Sequence, residues 1–149
     1  METGNFTTSI LVANTPAEVF NTILDVRAWW SGLFEESFNG TSEKTGDEFT
    51  FLAGGGLHFT RQKLVELVPN KKVSWLVTEA NLSFVEDSAE WVGTKITFDI
   101  SGEIGKTKVV FTHEGLVPDF QCYDACSTAW SAYIGTQLIN ALQLKYENS

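Results

Sequence analysis

From Asp119 to Tyr146 the apolar residues recur at intervals of three and four: Tyr123, Cys126, Trp130, Tyr133 or Ile134, Leu138 and Ala141. That spacing predicts one long amphipathic helix. Pro118 stands at its entrance, where a missing N–H costs nothing. Asp119 and Asp124 put negative charge near the positive end of the dipole, and Lys145 sits near the other end. Gly135 weakens the middle by roughly 1 kcal/mol relative to alanine. At ~1.5 Å per residue such a helix runs about 40 Å, longer than a simple strut in a small domain. It must lie along something, and the chain ahead of it reads as a sheet.

Between Leu33 and Glu114 the period changes to two, and glycines punctuate the segments at Asn39-Gly40, Thr45-Gly46-Asp47, Gly54-Gly55-Gly56, Gly93, Gly102 and Gly105. The predicted strands are Phe34–Phe38, Glu48–Ala53, Leu57–Val68, Lys72–Glu79, Thr94–Ser101 and Lys106–His113. Alternation is clear in the later ones: Val73, Trp75, Val77; Ile96, Phe98, Ile100; Val109, Phe111. This describes an antiparallel meander with one apolar face. The stretch Ala80–Val92 mixes Phe84 and Trp91 with Glu86, Asp87 and Glu90, and reads as a lid or an irregular strand. Ahead of the meander, Phe6–Ala13 is a strand. A short helix follows, with Thr15 as N-cap, Pro16 first, Glu18 in the first turn, and Val19, Phe20, Ile23 and Leu24 on its apolar face. Trp29-Trp30 ends a second short helical piece. The order strand, short helices, six strands, long helix suggests an α+β domain with its helices on one face of a curved sheet.

At 149 residues the chain is long enough for one core and short for two. Ten Lys and Arg against nineteen Asp and Glu give a net charge of −9 with no basic cluster. That argues against nucleic acid and against an anionic membrane surface, both of which attract a positive face. No apolar run approaches a membrane span, and Met1–Thr8 lacks the basic-then-apolar pattern of an export signal. A cytoplasmic location is therefore expected. Cys122 and Cys126, four apart on the helix, point the same way and are badly placed for a disulfide, so both are expected as reduced thiols.

Chemistry-bearing patterns are sparse. His113-Glu114 near Asp119 and Asp124 could suggest a base or a metal, yet adjacent strand residues face opposite ways, and His58 is remote in sequence. A junction held by side-chain hydrogen bonds is the expectation. Gly54-Gly55-Gly56 joins two strands and has no lysine, so it reads as a hairpin loop, not a phosphate cradle. No catalytic residue, metal or cofactor is assigned.

Several motifs together resemble the helix-grip proteins, also called START-like, SRPBCC or birch-pollen-allergen-like. Within that group the chain is similar to the branch of the C-terminal domain of the activator of heat shock protein 90 ATPase. Carrying the likeness are Thr15-Pro16-Ala17-Glu18-Val19-Phe20, the pair Trp29-Trp30, Lys63–Pro69 with Lys72-Val73-Ser74-Trp75, Gly93–Phe98, and His113-Glu114-Gly115-Leu116. It spans roughly Thr7 to Lys145. The resemblance implies a curved antiparallel sheet of six to seven strands wrapped on the long helix, with a cavity between them that relatives use for sterols, lipids, hormones or polyketides. Some relatives bind a chaperone instead.

An aromatic set on sheet and helix is the candidate wall of that cavity: Trp29, Phe49, Phe51, Phe59, Trp75, Phe98, Phe111, Tyr123 and Trp130, with Tyr133 and Ile134 beside them. Large flat rings on a curved surface either leave space for a ligand or interdigitate as plain core, and both readings stand at this point. Ser74, His58 and Tyr133 are the polar groups that would orient a guest. The expected partner is a small hydrophobic molecule. The resemblance adds two alternatives, a chaperone-binding role and a cyclase- or hydrolase-type enzyme using His58 or His113.

Overall fold

A computed structural model describes residues 6–30, 35–53, 58–82, 91–116 and 123–146. Seven antiparallel strands form one curved sheet: β1 (Phe6–Val12), β2 (Ser37–Gly40), β3 (Glu48–Ala53), β4 (His58–Val68), β5 (Lys72–Leu82), β6 (Lys95–Glu103) and β7 (Lys106–Glu114), in the order β1-β7-β6-β5-β4-β3-β2. The first two strands are thus the two edges. The chain crosses between them through α1 (Pro16–Leu24) and α2 (Val26–Trp29), with α1 lying against β5 and β6.

Local chemistry sets the boundaries. Thr15 and Glu18 form a reciprocal cap: the Glu18 N–H donates to Thr15 Oγ1 and the Thr15 N–H donates to Glu18 Oε1, both at 3.1 Å, with Pro16 opening the helix. α2 is a single turn closed by the pair Trp29-Trp30. At the end of β2, Gly40 has φ +100, and a Cβ there would come within 2.4 Å of the Glu48 carbonyl oxygen. Only glycine lets the two strands approach there. The second strand starts at Ser37, not Phe34, and residues 31–34 lie outside the described part of the chain.

β4 and β5 pair along most of their length, but Thr78 is skipped where the register passes from Arg61↔Glu79 to Gln62↔Val77, and Val65 is skipped between Leu64↔Trp75 and Glu66↔Ser74. Each bulge bends the hairpin and increases its twist. β6 pairs with β5 only from Lys72 to Leu76. Beyond that, the Val77 N–H donates to the Thr94 carbonyl and the Gly93 N–H to the Val77 carbonyl, so the turn at Trp91–Thr94 takes over as β5's neighbour. Of the stretch 80–92, read as a lid or an irregular strand, the described ends are β5 continuing to Leu82 and the turn at Trp91. Residues 83–90 lie outside the described part, as do the Gly54-Gly55-Gly56 loop and Asp119.

The C-terminal helix is continuous over its described length but not α-helical throughout. α3 (Tyr123–Ala132) runs into a π-helical stretch, Tyr133–Leu138, and then α4 (Ile139–Tyr146), with Ala132 and Ile139 both in right-handed helical conformation. The uniform α-helix predicted by the three-and-four spacing is corrected there: the wider turns bring Tyr133, Ile134 and Leu138 all inward.

Candidate functional site

The inner face of the sheet has two unlike halves. On β5, β6 and β7 it carries Val73, Trp75, Val77, Ile96, Phe98, Ile100, Val109 and Phe111, all buried. Trp29 packs edge-on to Phe98 (ring centroids 5.5 Å), which meets Phe111 at 5.1 Å and Trp75 at 5.9 Å. Trp30 joins this block to the helix, stacked on Trp29 at 5.4 Å and on Phe51 at 4.6 Å, and 5.0 Å from Trp130. At these separations the rings touch. For Trp29, Phe49, Trp75, Phe98 and Phe111 the structure selects interdigitated core.

Buried polar ends in this block find partners, as desolvation demands. The Trp29 Nε1–H donates to the Ile23 carbonyl at 3.0 Å and the Trp75 Nε1–H to Ser42 Oγ at 2.8 Å. The Tyr133 hydroxyl bonds the Glu36 carboxylate, and burial together with that bond raises the phenol's pKa well above its usual value. Ile134 is fully buried, and Tyr123 packs against the core from the first turn of α3.

Two candidates fall elsewhere. Phe59 pairs with Leu52 and Asn81, one step out of phase with the buried Thr60 and Gln62, so its ring lies on the outer face. The apolar residue was the misleading one: at this end β4 turns Thr60 and Gln62 inward, in phase with Leu64. Ser74 likewise alternates with the buried Val73 and Trp75. Its hydroxyl lies 2.9 Å from Thr97 Oγ1, which donates to Glu114 Oε2 at 2.8 Å, making a ladder on the outer side.

On β3 and β4 the inner face is different. Ala53, Thr60 and Ala80 are its small floor, with Thr60 directly opposite Phe51 and Ala80. His58, Thr60 and Gln62 follow at every second residue of β4, a polar row inside an aromatic frame. Around it run Phe51, His58, Trp91 and Trp130: the Phe51–His58 rings are 5.4 Å apart, His58–Trp91 4.8 Å and Trp91–Trp130 6.1 Å.

His113, 55 positions beyond His58, meets the other side of Trp91 at 4.5 Å. Its Nδ1 accepts the Trp130 indole N–H at 3.1 Å, so the ring proton is on Nε2, which donates to Thr94 Oγ1 at 2.8 Å. Thr94 in turn donates to the Trp91 carbonyl at 2.6 Å. Both nitrogens are engaged, and the chain of bonds ties β7, the helix and the Trp91 turn together. This is the hydrogen-bonded junction expected from the sequence, with Trp130 and Thr94 as partners where Glu114 was the obvious neighbour. Burial pushes His58 down to about 4, while burial and then the nearness of His58 push His113 down to about 3. Both imidazoles are neutral near pH 7.

A separate cleft of about 290 Å³ lies between α1–α2 and the β2–β3 connection, with Asn21, Asp25, Arg27, Ser42 and Phe49 in its walls. Cys126 is reduced and buried, and Cys122 lies outside the described residues. Among the described residues no cluster of three His, Cys, Asp or Glu could hold a metal, and no helix is long and apolar enough to cross a membrane.

A curved seven-stranded sheet closed on a C-terminal helix, with two short helices after the first strand, is the helix-grip fold of START-like domains. More narrowly, the chain belongs to the family of activator of Hsp90 ATPase homolog 1-like proteins, whose model matches residues 13–143. Solved structures similar to it include the Aha1 dimer from Colwellia psychrerythraea (23% identity, TM-score 0.73, 95% of this chain and 98% of that one). Protein CV1439 from Chromobacterium violaceum is also similar (17%, TM-score 0.71, 94% and 97%), as is MLL2253 from Mesorhizobium loti (16%, TM-score 0.71, 97% and 98%). No curated protein matches the sequence.

Proposed function

We propose that this domain is a binding module that holds a small hydrophobic molecule, lipid-, sterol- or polyketide-like, between the sheet and the C-terminal helix on the β3–β4 side. The supporting observation is the small floor of Ala53, Thr60 and Ala80, adjacent across three neighbouring strands beneath aromatic walls. Such a lining, apolar with a few placed polar groups, is what small-molecule sites offer. No chemistry on the guest is part of this reading: the His113 nitrogens are already committed to Trp130 and Thr94. Titrating flavonoid-, sterol- and fatty-acid-like compounds while following amide and indole signals should move Thr60, Ala80, Trp91 and Trp130 far more than Trp29 or Phe98. Silence at those four across such a library would remove the reading. A chaperone-binding role is the second reading, favoured by the family match over residues 13–143. It requires that the purified domain capture an Hsp90-type chaperone and raise its ATPase rate.

A further inference from the structure

Within that carrier reading, on which this inference rests, we propose that Gln62 recognises a hydroxyl group on the guest: the bound molecule is uncharged, largely apolar, and directs a hydroxyl at the Gln62 side-chain amide. Gln62 and Thr60 are fully buried on the inner face. The Gln62 Nε2–H donates to Thr60 Oγ1 at 3.1 Å, and the amide oxygen has no hydrogen-bond partner among the described residues. Buried amides are almost always satisfied, so an open end in the interior marks a place where something polar belongs. Turning the amide over does not close it. Thr60 would then donate to the oxygen, and the NH₂ would face the interior unpaired.

The hydroxyl follows from that ambiguity. It both donates and accepts, so it satisfies the amide in either orientation, whereas a carbonyl or an ether serves only one. A carboxylate or ammonium is disfavoured, since among the described residues the buried polar side chains are Thr, Ser, Gln and His, with no charged group to pair with it. The bulge at Thr78 stands opposite the step from Arg61 to Gln62, and bulges re-aim neighbouring side chains. The amide lies two residues along β4 from the small Thr60–Ala80 floor, on the same face, so an apolar body can rest on that floor while its polar end reaches Gln62.

The test uses 1-naphthol and 1-methylnaphthalene, which share a shape and differ in the hydroxyl, with affinities measured by calorimetry on the full chain. Wild type should bind the naphthol about tenfold tighter, because a site built around a hydroxyl rejects the analogue lacking it. In Gln62→Leu the ratio should fall to about one, with the methyl compound bound as well as before or better. Thr60→Val, which removes the hydroxyl the amide donates to, should reduce the ratio part-way, and it supplies the reading if Gln62→Leu does not fold. Equal wild-type affinities, or a preference that survives these substitutions, overturn the hydroxyl assignment and leave the carrier intact. Failure of both compounds to bind wild type overturns the assignment, and together with silence across the flavonoid, sterol and fatty-acid library it overturns the carrier reading as well.

Discussion

The two halves of the sheet's inner face were made from the same fold by opposite choices of residue. β5, β6 and β7 turn inward one bulky side chain after another, and those meet Trp29 and Trp30 ring to ring. β3 and β4 also bury Phe49, Phe51 and Leu64, but among them stand Ala53, Thr60 and Gln62, with Ala80 from the far end of β5, under a frame of aromatic rings. Burial alone does not separate them, since Thr60 is as buried as Phe98. Volume and polarity do. A core gains from filling its space and from having nothing to satisfy, while a receptor keeps both space and unfilled polarity, at a cost in stability.

The largest expected effect is in the packed half. Phe98→Ala removes a fully buried ring that touches Trp29, Trp75 and Phe111, and should cost about 4 kcal/mol in urea denaturation. Thr60→Ala should cost well under half of that. Similar losses at the two positions would break the contrast between the halves.

The alternation on β5 to β7 was readable in the sequence because one-sided burial imposes a strict period of two there. So were the cap at Thr15, the paired tryptophans and the course of the C-terminal helix. The candidate site was far less readable, for a physical reason. On β4 Thr60 and Gln62 face in beside Leu64 while Phe59 faces out, so hydrophobicity misleads at Phe59, and the skipped Thr78 and Val65 change the register without any local signal. The π-helical turns from Tyr133 to Leu138 also leave the spacing of apolar residues almost unchanged. His58 and His113 meet Trp91 only because the turn after β5 carries that indole between them, a contact no local pattern encodes.

Those histidines give the second effect. Their native pKa values, about 4 and about 3, lie below the usual 6.5, so between those limits the unfolded chain binds more protons than the folded one. Stability is complete above pH 6.5 and falls as pH drops, by ~1.4 kcal/mol per unit for each histidine, or about 2 kcal/mol each between pH 6.5 and 5. Because His58 belongs to the β3–β4 side and His113 to the junction, His58→Phe isolates the former. Denaturation at several pH values should show the acid slope reduced by roughly half. An unchanged slope would mean that His58 is as accessible to protons in the folded protein as in the unfolded one.

A third measurement bears directly on space. Forcing extra methylenes into a filled core costs ~1–3 kcal/mol, whereas an open floor accepts them. Ala80→Leu should therefore change stability by less than about 1 kcal/mol and abolish binding of whichever compounds the wild type takes. A loss of about 3 kcal/mol would show that the β3–β4 side is packed as tightly as the other, and the contrast between the halves would be one of polarity alone.

The smallest effect falls on the face that sequence alone would have placed inside. Phe59 is half-buried, opposite Leu52 on one neighbouring strand and Asn81 on the other, and its contribution is a cross-strand contact rather than a core position. Phe59→Thr puts a β-branched strand former at that point and should cost about 0.5 kcal/mol. Ligand affinity should not change, because Thr60, its immediate neighbour, points the opposite way into the interior. A loss of binding in Phe59→Thr without loss of fold would move the site through the sheet to its outer face, where Ser74, Thr97 and Glu114 form the polar ladder. The packed and open halves of the inner face would then both be ordinary core.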